Sequence, residues 1–285
     1  MFTEINREKS KHEGKIILGY MMTGIAFVLY LPLASSIGIG AFFLVGVPFL
    51  GGAFYASHYQ KKIKLLSNNF KAKYVTEEVK KVFPNSTYRY DLGFTENEVI
   101  ESNLLLKRDR FKSEDLIQGL YDGVSFKCSD LEQKEVRGSG KDRRVVTVFQ
   151  GRFYEFDFHK NFKHNLILLQ PNMYRPFSGL NKVDTESIHF NSEFKIFAES
   201  DHEAFYILTP DFMEKLIYFD RKYLDKISFS FKNNKLYIAI DTRKDYFDIK
   251  PFKKVDMTIF NEYQEELKDI QELVKVLNLN STLFK

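Results

Sequence analysis

Cysteine and tryptophan are almost absent from this sequence, which contains one cysteine and no tryptophan in 285 residues. The single thiol, Cys128, excludes an internal disulfide framework and a metal site built from several thiolates. A chain of this kind suits a reducing compartment. Aromatic residues are plentiful by contrast, with 29 Phe and 16 Tyr. Together with β-branched residues they form short runs through the second half, which favours strands there.

Charged residues and histidine are also absent from Ile16 to Ser57, a run of 42 residues. As one helix this run would extend over ~63 Å. The hydrocarbon core of a bilayer is only ~30 Å thick, so the run is too long for one span and suits two. We predict spans near 16–33 and 38–56 that pack as an antiparallel hairpin. The break is expected between Pro32 and Gly40, because proline removes a helix hydrogen bond and serine and glycine tolerate a turn.

Several glycines in the hairpin would allow the two helix backbones to approach closely. The alternative is that they are ordinary glycines of membrane helices. The five candidates are Gly19, Gly24, Gly46, Gly51 and Gly52.

Basic residues flank both ends of the uncharged run, and its central turn has no charge. The positive-inside rule then predicts a multi-pass protein of the cell membrane with both termini in the cytoplasm, residues 1–15 being the cytoplasmic N-terminus. A cleaved signal peptide is the alternative, because Lys11 and Lys15 precede an apolar stretch and Leu33-Ala34-Ser35 resembles a processing site. A mature chain starting near Ser36 would begin with another long apolar run, which favours the hairpin.

The net charge of +4 is unevenly distributed along the chain. Residues 1–15 carry +1 and residues 58–73 carry +5, which leaves −2 for residues 74–285. The basic excess is therefore local to the flanks of the apolar run. This distribution argues against nucleic-acid binding, for which positive charge should cover the folded domain itself.

Residues 58–83 are predicted to continue as a basic juxtamembrane helix, with Ile63, Leu66 and Phe70 on one side. Lysines near the bilayer surface attract anionic headgroups by ~1 kcal/mol each. The candidate lipid contacts are Lys61, Lys62, Lys64, Lys71 and Lys73. The alternative is that these lysines only determine the topology.

Residues 84–285 are predicted to form one soluble α+β domain with a mixed, mainly antiparallel sheet. Val124–Glu132 and Arg143–Phe158 have strand patterns, with a glycine-containing loop between them. In the second of these strands the apolar residues change face around Gly151. A bulge or bend at Gly151 would explain that change.

The clearest pair of strands is Ile227–Phe231 and Leu236–Ile240, joined by a turn at Asn233-Asn234. A helix is predicted to begin at Pro210, with Thr209 as its N-cap.

The C-terminal helix is predicted near 257–278, where apolar residues recur at spacings of three and four. We expect this amphipathic helix to pack on the sheet. A short coiled-coil contact with another subunit is the alternative. The residues of the stripe are Phe260, Tyr263, Leu267, Ile270, Val274 and Leu277.

The chemically capable residues of the sequence do not form a recognisable catalytic or metal-binding pattern. His159 and His164 lie five residues apart and lack the Glu of a helical zinc-hydrolase motif. The Gly138-Ser-Gly140 segment is too short for a phosphate loop and is predicted to be a hairpin turn. Cys128 lies beside Lys127, which would favour a thiolate, but a lone cysteine in a strand usually serves packing.

The sequence therefore predicts no catalytic residue, no cofactor and no metal ligand. The remaining enzymatic alternative is a membrane-bound enzyme whose site is assembled from distant residues such as Asp157, His159 and Asp201. In the sequence His202 and Glu203 are expected in the first turn of a helix, where acidic side chains favour the helix macrodipole.

Four aromatic-rich segments resemble a bacterial family of uncharacterised membrane-anchored proteins, known only as domain of unknown function 3137. The segments are Ser113–Phe126, Phe149–Phe162, Phe190–Phe197 and Glu203–Glu214. The resemblance extends over most of the chain, including the paired N-terminal spans. It implies a bacterial plasma-membrane protein, and it brings no activity, substrate or catalytic residue.

These observations predict a membrane-tethered cytoplasmic binding or scaffold module, with the lipid bilayer and an unidentified protein as its partners. The sequence leaves the oligomeric state open.

Overall fold

The structure is a computed structural model, and it describes residues 2–158, 163–173, 179–224, 226–244 and 247–280. The chain divides into two compact units. Unit 1 comprises Met1–Tyr74 and Phe247–Glu262, and unit 2 comprises Val75–Tyr246 and Tyr263–Lys285.

Unit 1 is built on two long helices, α1 (Phe2–Ile37) and α2 (Gly40–Phe70). Each is long and apolar enough to cross a membrane. The predicted span 16–33 falls inside α1, whereas the predicted span 38–56 begins at the turn and continues in α2. Helix α1 continues through Pro32, and the hydroxyls of Ser35 and Ser36 donate to the Pro32 carbonyl at 2.8 and 3.0 Å. The turn falls at Gly38 and Ile39, inside the predicted range from Pro32 to Gly40, and Gly38 has a φ of +57° that favours glycine.

Two of the five hairpin glycines lie where the helices meet. A Cβ added to Gly19 would lie 2.7 Å from the Gly52 carbonyl oxygen, and one added to Gly52 would lie 2.6 Å from the Gly19 oxygen. Both positions therefore exclude any larger residue. Around Gly24, Gly46 and Gly51 the described part of the chain leaves open space, so these three serve no contact within the hairpin.

The end of the hairpin away from the turn is closed by side-chain packing. Ile16 of α1 and Ala56 and Ile63 of α2 form a small buried cluster, against which Tyr59 packs. Beyond α2 the helix loosens into a π-helical turn, Lys71–Val75.

The chain returns to unit 1 at Phe247, far along the sequence. Asn6 of α1 pairs with the backbone of Val255, donating to its carbonyl at 2.6 Å and accepting from its amide at 2.9 Å. Ser67 of α2 accepts a hydrogen bond from the Ile249 amide at 3.0 Å. Segment 247–256 is thus fastened to both helices of the hairpin.

Unit 2 contains, among the described residues, a nine-stranded antiparallel sheet in the order β1-β2-β3-β4-β9-β8-β5-β7-β6. The strands are β1 (Ser86–Arg89), β2 (Arg110–Tyr121), β3 (Val124–Arg137), β4 (Arg144–Asp157), β5 (Leu166–Leu169), β6 (Asn181–Val183), β7 (Lys195–Ala198), β8 (Ile227–Lys232) and β9 (Lys235–Ile240). The helices after α2 are α3 (Thr76–Val82), α4 (Glu96–Glu101), α5 (Ile188–Glu193), α6 (Asp201–Ile207), α7 (Pro210–Lys222) and α8 (Met257–Val276). Helix α8 starts in unit 1 and continues in unit 2 from Tyr263.

The predicted β8–β9 hairpin is confirmed. Its turn residues Asn233 and Asn234 have φ values of +52° and +57°, as a two-residue type I′ turn requires. Thr209 caps α7 by accepting a hydrogen bond from the Phe212 amide, as predicted. The Gly138–Gly140 segment is the predicted turn between β3 and β4, with positive φ at both glycines.

The prediction of a bulge at Gly151 is wrong. The register between β3 and β4 shifts at Val148, because Phe149 faces Gln133 and Thr147 faces Lys134. Gly151 is regularly paired, and a Cβ there would lie 1.9 Å from the Ile240 carbonyl oxygen of β9. Glycine is therefore required for close backbone approach.

Apolar residues occur on both faces of β4 because both faces are covered. Phe149 and Phe153 belong to one core cluster with Phe94 and Leu169. Side chains of the opposite face are buried as well, among them Arg152, whose guanidinium reaches Glu266 of α8.

The apolar stripe of α8 is buried within the chain from Tyr263 onward. It includes Leu267, Ile270 and Val274, so this helix packs within the chain as predicted. A coiled coil with another subunit would need these residues to be exposed, so the coiled-coil alternative is not supported. The predicted fold class, mixed helix and antiparallel sheet preceded by a helical hairpin and ending in a packed helix, is confirmed.

The contact between Gly19 and Gly52 gives a direct test of the hairpin. Gly19→Leu should destabilise the full chain by about 1–3 kcal/mol, because the added side chain must push the α2 backbone away. Gly24→Leu, on an open face of the same helix, is the matched control and should leave stability unchanged. The measurement is the thermal unfolding midpoint of each detergent-solubilised variant. Equal effects of the two substitutions would contradict the observed packing.

Candidate functional site

Three of the predicted lysine contacts lie just beyond the uncharged part of α2. Lys61, Lys62 and Lys64 are exposed. For a helix along the bilayer normal they lie ~6–11 Å beyond Ser57. Headgroups extend ~5–8 Å beyond the hydrocarbon core, and the Debye length at physiological salt is ~8 Å. These three ammonium groups are thus within electrostatic reach of a headgroup layer.

Lys71 does not belong to this surface. Its side chain is only 2% exposed, and its ammonium group lies 2.5 Å from a carboxylate oxygen of Asp248. Ser67, one turn earlier, also donates to this carboxylate at 3.3 Å. The ion pair fastens the returning segment 247–256 to α2, so Lys71 has a structural role within unit 1.

Lys73 is exposed but distant. It lies ~24 Å beyond Ser57 along the helix, well outside the headgroup layer. Its ammonium group lies 5.1 Å from the ring centroid of its neighbour Tyr74. Of the five predicted lipid contacts, geometry therefore favours Lys61, Lys62 and Lys64.

Sequence analysis missed a cation–aromatic cluster at the same level, which consists of Lys15, Tyr55, Tyr59 and Lys62. The Lys15 ammonium donates to the Tyr59 hydroxyl at 3.2 Å and lies 4.7 Å from its ring centroid. The Lys62 ammonium lies 5.7 Å from the centroid of the same Tyr59 ring. The Tyr55 ring packs edge-on against the Tyr59 ring, with 4.9 Å between the ring centroids. The hydrogen bond to Tyr59 raises the pKa of Lys15, so this lysine stays charged.

Tyrosines with lysines at the ends of apolar helices are typical of the interface between membrane and water. Another such contact lies nearby, because the Gln60 amide donates to the Tyr20 hydroxyl at 2.6 Å. The spacing of Tyr55 and Tyr59, one helical turn apart, was the sequence signal that would have revealed the cluster.

Unit 2 holds a buried ionic cluster that the sequence did not suggest. The Arg152 guanidinium, buried inside the sheet, donates to Asp130 at 2.9 Å and to the Cys128 sulfur at 3.2 Å. Its Nε atom lies 3.4 Å from a Glu266 carboxylate oxygen. One cation thus faces two carboxyl groups in a site removed from water.

The protonation of this cluster follows from its geometry. Asp130 accepts a hydrogen bond from Arg152, whereas burial raises the pKa of Glu266 to about 8, which favours its protonated form at neutral pH. Burial also raises the pKa of the Cys128 thiol to about 11. A buried, protonated thiol is inert, so the reactive-thiol interpretation of Cys128 is not supported.

The described residues of the enzymatic alternative both lie on the surface. Asp157 is exposed at the end of β4, Asp201 is exposed at the start of α6, and His159 lies outside the described residues. Glu203 instead anchors a loop, accepting from the backbone of His164 at 2.8 Å and lying 3.0 Å from its ring. Within the described ranges no group of three or more His, Cys, Asp or Glu could hold a metal ion.

Two concave regions occur on unit 2. A cleft of about 50 Å³ reaches Asp130 and has room for a water molecule or two. An open groove of about 600 Å³ lies along α7, lined by His189, Glu214, Ile217, Tyr218, Arg221 and Lys222. The cleft has charged walls but is too small for a substrate, and the groove is open to solvent, so neither has the form of a ligand pocket.

Residues 147–279 match a family model described as protein of unknown function (DUF3137). The predicted resemblance is therefore confirmed over this segment. Comparison with curated proteins gave no match. The crystal structure of the mycobacterial trehalose monomycolate transport factor A, TtfA, is similar to this chain, and the alignment covers 72% of this chain and 97% of the TtfA chain. The TM-score is 0.37 and the sequence identity is 8%. This likeness is too distant to transfer a function.

The buried cluster predicts a specific pH dependence. In the folded protein the pKa of Glu266 is about 8, whereas its ordinary value is 4.5. Between these two pH values the unfolded chain loses the Glu266 proton more readily than the folded chain does. The free energy of unfolding therefore decreases as pH rises from 4.5 to 8. Glu266→Gln removes that ionisation. We therefore expect the unfolding midpoint of the variant, relative to the wild type, to increase from pH 4.5 to 8 and then level off.

Glu265→Gln is the matched control, since Glu265 is exposed on the same helix. The measurement is thermal unfolding of the full chain between pH 4 and 9. A difference between Glu266→Gln and wild type that stays constant with pH would show that Glu266 is ionised in the folded protein.

Proposed function

We propose that this protein is a membrane-tethered, non-catalytic binding module. In this proposal the hairpin α1–α2 crosses the bilayer twice, both termini are cytoplasmic, and unit 2 is held at the cytoplasmic surface. The observation that carries the proposal is the outward surface of the hairpin, which is apolar along its whole uncharged length. Its exposed side chains include Phe27, Val28, Phe43, Leu44, Val47, Leu50 and Phe54.

An apolar surface of this extent suits lipid far better than water. Soluble proteins rarely expose contiguous apolar patches beyond a few hundred Å². The helices also satisfy their own backbone hydrogen bonds, which a bilayer core requires. The hairpin geometry, with one two-residue turn, supports two crossings rather than one.

The orientation rests on charge. The turn residues Gly38 and Ile39 and their neighbours carry no charge, whereas the opposite end of the hairpin carries Lys15, Lys61, Lys62 and Lys64. Translocating the uncharged turn costs far less than translocating the lysines, so the basic end stays in the cytoplasm.

The exposed lysines of α2 have a second role in this proposal, which is to bind anionic headgroups. Lys61, Lys62 and Lys64 supply three positive charges within reach of the headgroup layer, and each is worth ~1 kcal/mol near an anionic surface. The tyrosines of the cation–aromatic cluster would fix the depth of the helices at the same level.

A protein partner is proposed for unit 2, as expected from the sequence. The groove along α7 offers Tyr218 and Arg221 at its surface, and both residue types are enriched where proteins bind one another. The exposed Ile188 at the start of α5 precedes His189 of this groove.

The lipid contact is tested by thermal stabilisation of the full chain in detergent. Adding phosphatidylglycerol should raise the unfolding midpoint more than adding phosphatidylcholine, because only the anionic lipid pairs with the lysines. The variant Lys61→Gln/Lys62→Gln/Lys64→Gln should lose this difference between lipids. Salt should reduce the difference in the wild type.

The charge-matched control is Lys73→Gln/Lys80→Gln/Lys81→Gln, which removes three exposed lysines further from the uncharged run. This control should keep the preference for phosphatidylglycerol. If both triple variants lose the preference equally, the lysines act only through net charge, and the assigned headgroup site is wrong.

A further inference from the structure

A second basic surface lies in the segment that returns to unit 1. Residues 250–254 read Lys-Pro-Phe-Lys-Lys, and all five are exposed. We call this segment the basic loop. At its centre Phe252 is 59% exposed and has a φ of +61°, a conformation that bulky side chains rarely adopt.

The basic loop is held in place on α1. The Phe252 amide donates to a Glu13 carboxylate oxygen at 2.5 Å. On one side of the loop Asn6 holds the Val255 backbone, and on the other Ser67 and Lys71 hold Ile249 and Asp248. A large apolar side chain is thus presented to the outside by a fastened backbone.

The contact with Glu13 fixes the level of the loop along the hairpin. Glu13 precedes Ile16, where the uncharged run begins, by only ~4.5 Å of helix rise. Lys15 contacts Tyr59 across the hairpin, and because the helices are antiparallel Glu13 is level with Lys61. The basic loop therefore lies at the depth at which the proposed membrane has its headgroups.

The charge of the loop is positive and only partly compensated. Lys253 lies 3.9 Å from Glu262, but both side chains are more than half exposed, so this pair is weak. Hydrogen bonds from Thr258 and the charges of Lys254 and Lys253 lower the pKa of Asp256, so this carboxylate offsets part of the lysine charge. The three lysines Lys250, Lys253 and Lys254 still leave a net positive charge beside an outward phenylalanine.

We propose that the basic loop is a third membrane contact, in which Phe252 inserts at the boundary between headgroups and acyl chains of an anionic bilayer. The three lysines bind the anionic headgroups around it. An aromatic side chain among lysines is the composition of interfacial membrane-binding segments. This inference rests on the proposed tether, because the hairpin sets the level of the loop.

Contact of the loop with lipid would couple the membrane to a segment that begins 177 residues after the end of the hairpin in sequence. Segment 247–256 leads directly into α8, so in this proposal the first residues of α8 would lie close to the surface of the bilayer. The loop would thus add a surface contact to the two spans of the tether.

The absence of tryptophan from the chain makes a single-site test available. Three full-length variants each carry one tryptophan: Phe252→Trp in the basic loop, Leu50→Trp on the exposed apolar face of α2, and Phe205→Trp on the surface of α6 in unit 2. Each is reconstituted into vesicles that contain phosphatidylglycerol. Tryptophan emission and its quenching by lipids brominated at shallow or deep acyl positions are then measured.

We expect the emission of Phe252→Trp to be blue-shifted relative to that of Phe205→Trp and to be quenched most strongly by lipids brominated at shallow positions. The emission of Leu50→Trp should be quenched most strongly by lipids brominated at deep positions. Phe205→Trp should respond to neither and should be quenched by aqueous acrylamide. Adding Lys250→Gln, Lys253→Gln and Lys254→Gln to Phe252→Trp should weaken its lipid quenching. In pure phosphatidylcholine the quenching of Phe252→Trp should also be weaker.

The outcomes separate the two proposals. If Leu50→Trp is quenched by deep bromines but Phe252→Trp behaves like Phe205→Trp, the loop contact is wrong and the tether stands. If Leu50→Trp is also untouched by brominated lipid, the tether itself is wrong and the loop contact falls with it. Quenching of Phe252→Trp that is equal in both lipids and insensitive to the lysine changes would overturn the anionic part of the inference.

Discussion

The constraint on which the other features of unit 1 depend is the cost of exposing a 42-residue uncharged, apolar run to water. The run folds back on itself at Gly38 and Ile39, and the contact between Gly19 and Gly52 lets the helices meet closely. Folding back brings the two charged ends of the run to the same side. Lys15, Tyr59 and Lys62 can then form one cluster, and the returning segment finds polar partners on both helices.

Unit 2 is organised by a different constraint, which is that both faces of its central strand β4 are covered. One face packs Phe149 and Phe153 into an aromatic core. The other carries the buried Arg152, and the carboxyl groups of Asp130 and Glu266 lie 2.9 and 3.4 Å from its guanidinium. Breaking a buried pair of this kind is costly, whereas replacing the whole set by apolar residues often is not. The cluster therefore accounts for perturbed pKa values without any catalytic role.

Local signals in the sequence predicted much of this fold. Asn233-Asn234 requires only that two adjacent residues adopt positive φ, and Thr209-Pro210 requires only the first turn of a helix. The lysines beside the uncharged run are likewise visible in the sequence as an uneven distribution of charge, and their contact with lipid stays a prediction. The fold class followed from these patterns.

Features that depend on distant partners could not be predicted in this way. Lys71 belongs to the same basic stretch of sequence as the exposed lysines, and its burial follows from its ion pair with Asp248 of the returning segment. The sequence around Gly151 resembles that of a bulge, because a strand that is buried on both faces also lacks a regular alternation of apolar and polar residues. The close approach of the Ile240 backbone to Gly151 has no signal in the local sequence. The same holds for Arg152 and Glu266, and for the level of Phe252, which depends on Glu13.

The central claim, that the turn of the hairpin lies across the membrane from unit 2, is tested most directly by thiol labelling. Cys128 is fully buried, so a cysteine introduced at the surface reports alone. Ile39→Cys in the turn and Ile188→Cys in unit 2 are matched in exposure, at 83% and 88% for the native side chains. With a membrane-impermeant maleimide on intact spheroplasts, the account predicts labelling of Ile39→Cys at once and of Ile188→Cys only after permeabilisation. Labelling of both variants only after permeabilisation, or of Ile188→Cys in intact spheroplasts, would contradict it.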